Sequence, residues 1–154
     1  MRWHEPLNLA GLEQKYGPRI DGIVPTRVFI IEHESRLIGW IQWYRWSGYR
    51  KHAQLEAAPN AAGIDLAIGD VSVVGKGIGS SAIRQFVLNV VSAEPGITAV
   101  VTDPEDRNGR SFRAFQKAGF SPVRTVELDG ENVRRRVMQL LLVNPQITED
   151  RFWG

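Results

Sequence analysis

The chain has no cysteine among its 154 residues, which excludes a disulfide framework, a thiolate metal site and a cysteine nucleophile. Long apolar runs are also missing. The opening "MRWHEPLN" carries no hydrophobic leader core, and no segment approaches the ~18 uncharged apolar residues that a membrane-spanning helix needs. These absences point to a soluble cytoplasmic protein without a membrane partner. Charge of one sign is scarce as well: the formal net charge is only +2, too slight to hold nucleic acid by bulk electrostatics. His4, His33 and His52 share no spacing suited to a metal. There is no internal repeat and no low-complexity stretch. At 43% hydrophobic and 23% charged, residues 1–154 read as one globular domain with a real core.

Glycine, in contrast, is concentrated. "VVGKGIGSSAIRQF" places Gly75, Gly77 and Gly79 within five residues, then enters an apolar-periodic stretch. A helix is predicted from about Ser80 to Ser92, with Ile83, Phe86, Val87 and Val90 on one face. Upstream, Arg27–Glu32 and Leu37–Trp46 read as a hairpin turning at "ESR", and "GIDLAI" as a short strand. Downstream come a strand at Ile97–Thr102 and a helix at Asn108–Ala118 closed by Gly119. Strands at Pro122–Leu128 and Val133–Val143 join through "DGEN". A short helix is predicted at Leu7–Tyr16, and residues 47–61 read as a loop. This order describes an α/β (α+β) domain: a mixed, mostly antiparallel sheet with a central parallel β-α-β unit and flanking helices.

A glycine-rich turn entering a helix commonly holds a phosphate, because backbone N–H groups and the helix dipole converge on an anion. The spacing selects which phosphate. A triphosphate-binding loop needs four residues between its first glycine and a Gly-Lys pair, followed by Ser or Thr; here five residues lie between Gly69 and Gly75, and Gly77 follows Lys76. A dinucleotide fingerprint starting at Gly75 would need glycine where Ser80 stands. Both fail. The remaining reading is the pyrophosphate of coenzyme A.

"VVGKGIGSSAI" resembles the acetyl-CoA loop of the GNAT N-acetyltransferases. Gly77 and Gly79 match that family's glycines, and Val74 stands where Arg or Gln is usual. "DRNGRSFRAFQKAGF" resembles its second signature, an Asn-led helix ending in Ala-Gly-Phe. The resemblance runs over roughly residues 27–143. Within the family, "GIDLAIGDVSVVGKGIG" and "VVTDPEDRNGRSFRAFQKAGF" are similar to aminoglycoside 6'-N-acetyltransferases, without a gap from Ile64 to Gly79. The resemblance implies acetyl-CoA as cosubstrate, no metal and a cationic small-molecule amine as acceptor; monomer and homodimer both stay open. It implies cofactor contacts from Ile68, Gly69, Val74, Gly75, Lys76, Gly77, Ile78, Gly79, Ser80, Asn108 and Phe115. It also implies a front end shorter than the family's, lacking the usual first strand and helix.

Direct acetyl transfer needs a neutral amine and an acceptor for its proton. Asp65, interrupting an apolar strand, is the candidate base and amine ligand; the bland alternative is a solvent-facing residue at a sheet edge. Asp103, at the end of the next strand in "TDPED", is the candidate to hold a second ammonium, while Asp106 fits better as an acid at a helix N-terminus. Gln42, Tyr44 and Trp46 share one strand face and are candidates for the acceptor pocket, Trp46 by stacking on a sugar. Trp40 and Trp43 read as core. Arg134–Arg136 read as a solvated edge that discourages sheet pairing. Phe115 occupies the place where many relatives carry a tyrosine that protonates the leaving thiolate. Other acceptors (a siderophore, polyamine or peptide amine) and a non-catalytic acyl-CoA-binding module remain as alternatives.

Overall fold

In the computed structural model, residues 2–4, 26–46, 60–73, 75–127 and 133–142 are described. Seven strands form one sheet: β1 (Arg2–His4), β2 (Thr26–His33), β3 (Arg36–Arg45), β4 (Ala61–Ile68), β5 (Ala99–Thr102), β6 (Ser121–Glu127) and β7 (Arg134–Leu141). Their order is β1-β2-β3-β4-β5-β7-β6, and β4–β5 is the parallel pair. Two helices, α1 (Ile78–Asn89) and α2 (Gly109–Lys117), carry the chain from β4 to β5 and from β5 to β6. The sheet is therefore mixed with antiparallel ends, as the element order implied.

Local chemistry accounts for each boundary. The β2–β3 hairpin turns through Glu34 and Ser35, both at positive φ, a two-residue turn whose twist suits the strands. In α1, Ala82, Ile83, Phe86 and Val87 are buried on one face, and the helix ends where the Val90 N–H donates to the Phe86 carbonyl. The predicted helix ran to Ser92; residues Val91–Ala93 instead form a 3₁₀ turn before Pro95 and Gly96. Asn108 caps α2 by accepting the Ser111 N–H at 3.1 Å. Gly119, at φ 105°, closes it, and the Phe120 N–H returns to the Phe115 carbonyl.

Both helices lie on one side of the sheet. The main core there joins Ile31, Ile41, Trp43, Ile64, Val100 and Met138 to Ile83, Phe86, Phe115 and Phe120. Phe29 meets Phe86 edge to face, with ring centroids 5.3 Å apart. Each such side chain, fully buried, contributes about 1.5–3 kcal/mol. A smaller cluster of Tyr44, Trp46, Ala61, Ala99, Val101 and Val137 covers the opposite face.

Two expectations change. A first strand is present: Arg2–His4 pairs antiparallel with β2, Trp3 opposite Ile31. Three residues are too few to show a period of two. Arg134–Arg136 do not lie on an edge either, since β7 sits between β5 and β6. The helix predicted at Leu7–Tyr16 and His52 fall outside the described residues.

Candidate functional site

The parallel pair is only three residues deep: Ala61 with Ala99, Ala62 with Val100, and Gly63 with Val101. The Thr102 hydroxyl then donates to the Ile64 carbonyl at 3.1 Å, and beyond that link the strands part. β4 continues to Ile68, while β5 has ended at Thr102. A parting of parallel strands at their carboxyl ends is where α/β folds collect ligands.

The two candidate carboxylates come just after the last partners of this ladder. Two residues beyond the Gly63–Val101 pair lie Asp65 on one side and Asp103 on the other, on the face away from the helices. Asp65 is half-buried on a central strand, not at an edge. Gln42 stands opposite it on β3, and the Gln42 Nε2 donates to Asp65 Oδ2 at 3.1 Å. Asp103 is buried at 7% exposure. Arg135 Nη1 donates to its carbonyl oxygen at 3.1 Å and lies 3.9 Å from its Oδ2.

Tyr44 and Trp46 serve packing in this structure. Trp46 is 3% exposed and stacks on Tyr44 with ring centroids 6.2 Å apart, so its faces are not offered to a sugar. Tyr44 lies directly over Gly63: a β-carbon there would stand 2.2 Å from the ring. Gly63 leaves the space in which the Tyr44 ring lies on β4.

The glycine loop joins the end of β4 to α1. Gly75 and Gly77 take φ of 81° and 76°, conformations that other residues rarely adopt. Gly77 is the N-cap of α1 and offers no side-chain bond, so Ile78, Gly79 and Ser80 form an uncapped first turn. The helix thus begins two residues earlier than predicted, and Gly79 is part of it. A β-carbon at Gly79 would meet Ala114 and Ile68 at an ordinary 3.8 Å, so Gly79 marks the close seat of α1 against α2 and β4. The Ser80 hydroxyl bonds back to the Gly77 carbonyl. Lys76 is exposed, and Val74 lies outside the described residues. Gly69 donates from its N–H to the Ile38 carbonyl. Ile68 and Ile78 pack partly against the main core.

Two cofactor assignments shift in emphasis. The Asn108 carbonyl oxygen is engaged as a helix cap, which leaves its amide nitrogen as the donor. Phe115 is 2% exposed and meets Phe120 edge to face at 5.1 Å, inside the core. Asp70 is a residue that sequence reasoning missed. It bonds the hydroxyl (2.6 Å) and the N–H (3.0 Å) of Ser72 and pairs with Arg36 at 2.6 Å, bracing the loop between β4 and α1. The Ser72 hydroxyl, then its N–H, then the cations Arg36 and Lys76 hold the Asp70 carboxyl below its ordinary value. The local signal was available: aspartate two residues before serine is a common turn. Among the described residues, no group of three or more His, Asp or Glu gathers as a metal site, and no helix is long and apolar enough to span a membrane.

The acetyltransferase (GNAT) domain model matches residues 2–128. This chain belongs to the GNAT acetyltransferase family. It is 30% identical over 119 residues to aminoglycoside N(6')-acetyltransferase type 1 of Klebsiella pneumoniae, covering 77% of this chain and 59% of that relative. The chain thus spans about three fifths of the length of that curated relative. A shorter match, 34% identical over 64 residues, covers 42% of the chain and 29% of the lysine N-acyltransferase MbtK of Mycolicibacterium paratuberculosis. Among solved structures, an aminoglycoside acetyltransferase AAC(6')-Ib in complex with coenzyme A and kanamycin superimposes with TM-score 0.74 at 27% identity. That match covers 93% of this GNAT chain and 80% of the solved one.

Proposed function

We propose that this chain is an acetyl-CoA-dependent N-acetyltransferase that acts on a primary amine of an aminoglycoside, the 6'-amino group. The observation that carries the reading is a pair of carboxylates, Asp65 and Asp103, each two residues past the last β4–β5 partners, on the same β-α-β unit as the glycine loop. The loop and the uncapped start of α1 suit a pyrophosphate: two left-handed glycines and a first turn of N–H groups supply donors without side-chain bulk.

In this reading Asp65 takes a proton from the acceptor ammonium, directly or through water. The freed amine nitrogen attacks the thioester carbonyl; the C–N bond forms, the C–S bond breaks, the thiolate departs, and the nitrogen's second proton passes to solvent to leave the neutral amide. Gln42 fixes the carboxylate by its amide hydrogen bond. Asp103 is the acid that a second acceptor ammonium would approach, with Arg135 already beside its carboxylate. Phe115 offers no proton, so the thiolate leaves without a side-chain acid there, which its modest basicity allows. The same features support an intracellular, antibiotic-modifying role.

A panel of amines tested for thiol release from acetyl-CoA checks this. Release with kanamycin, and none with its 6'-hydroxy counterpart, is the expected result. Equal release with lysine or a polyamine would move the acceptor to another class. Binding of acetyl-CoA with no release on any amine would make the chain a binding module.

A further inference from the structure

The acidic segment that closes β5 is matched by arginines. Glu105 pairs with Arg107 at 2.9 Å, Asp106 with Arg136 at 2.5 Å, and Asp103 with Arg135. The third pair differs in depth. The Asp103 side chain is 8% exposed and that of Arg135 22%, whereas the other two pairs lie nearer the surface. β7 delivers Arg135 to this place by register: Thr102 faces Met138, the Arg136 N–H bonds the Pro104 carbonyl, and Arg135 stands opposite Glu105. From there its guanidinium reaches the carbonyl and carboxylate of Asp103.

A carboxylate buried to this degree requires a counter-charge, and the fold supplies one. An acceptor ammonium arriving at Asp103 would meet a charge that is already matched, and would gain only the difference between itself and Arg135. We propose that Arg135 is a specificity-determining residue. It removes Asp103 from service as a ready-made ammonium site, so the acceptor is chosen by the amine that reaches Asp65 more than by its total number of cations. This rests on the acceptor reading given above.

Calorimetric titration of the full chain with coenzyme A present, using kanamycin and 6-amino-6-deoxyglucose as probes, tests it without requiring turnover. Arg135→Gln keeps a donor for the Asp103 carbonyl and removes the charge. Kanamycin affinity is expected to rise about tenfold, the scale of a close charge pair released from its partner, with the monoamine unchanged. Adding Asp103→Asn should reverse the gain. In the otherwise native chain, Asp103→Asn alone should weaken kanamycin by less than about threefold, because Arg135 already matches the charge and leaves only the small net gain of a weak ion pair. The proposal is overturned by unchanged or weaker kanamycin binding in Arg135→Gln, or by an equal gain for the monoamine. A loss above about tenfold from Asp103→Asn alone, the size of a fully available charge contact, would overturn it equally. That last arm stands even if Arg135→Gln fails to fold. Absence of thiol release with this binding pattern intact would instead defeat the acetyltransferase reading alone.

Discussion

The two carboxylates at the strand opening each follow the last β4–β5 partners by two residues but are held differently. Asp65 is half-buried and touched by a neutral amide, Gln42. Asp103 is buried and touched by a cation, Arg135. A neutral donor orients a carboxylate without offsetting its charge. A cationic partner neutralises it and makes the charge part of the scaffold. Position in the fold is therefore a poor guide to role unless the partner is known.

Substitutions should separate the two in opposite senses. Asp65→Asn is nearly isosteric and should cost little in stability. Its turnover at saturating acceptor should fall by about a hundredfold, the usual scale for loss of a general base. Steady-state kinetics check this, and unchanged turnover would remove Asp65 as the base. Asp103→Asn should do the reverse. Leaving Arg135 without its carboxylate should lower the melting temperature by several degrees, the consequence of roughly 1–2 kcal/mol in a domain of this size. The acceptor Michaelis constant should rise only a few-fold, less at high salt, with turnover nearly unchanged. Thermal melts alongside kinetics would show the crossover, and two variants losing in the same proportions would erase the distinction.

Phe115→Tyr is the control with the smallest expected change in rate. The ring is in the core against Phe120, so an added hydroxyl meets apolar neighbours and not the reacting atoms. A modest drop in melting temperature is expected, from about 1–3 kcal/mol for an unpartnered buried hydroxyl, with turnover within twofold. A gain of a hundredfold, the reach of a general acid, would show that the phenol can serve the thiolate after all.

What could be read from the sequence was what its neighbours in the chain decide. The hairpin, the glycine loop and the Asn108 helix announce themselves through alternation, glycine spacing and a cap, all within a few residues. The partner of Asp103 is 32 residues away in sequence, and its identity depends on β7 lying beside β5. Strand order was hidden, so three arginines looked like a solvated edge. Trp46 looked available for stacking because alternation names a face without saying what covers it. Gly63 passed unremarked, since its reason is the Tyr44 ring across the ladder. Both acids could be singled out by pattern, Asp65 as a charge inside an apolar strand and Asp103 as an acid at a strand's end, but not the arginine beside Asp103.

The seam between β4 and β5 has a consequence for how the domain holds together. Three residue pairs and the Thr102–Ile64 hydrogen bond join a half-sheet of β1 to β4 to a half-sheet of β5, β7 and β6, and side chains on both faces pack across the seam. Such a sheet has a weak line built into it. A ligand that adds contacts along the side of β4 that β5 leaves uncovered shares its binding free energy with the fold, by about 2.7 kcal/mol at a hundredfold excess over its dissociation constant. Amide exchange should show this directly: Leu66 to Ile68 and the first turn of α1 should slow on saturation with coenzyme A, while the β2–β3 hairpin stays unchanged.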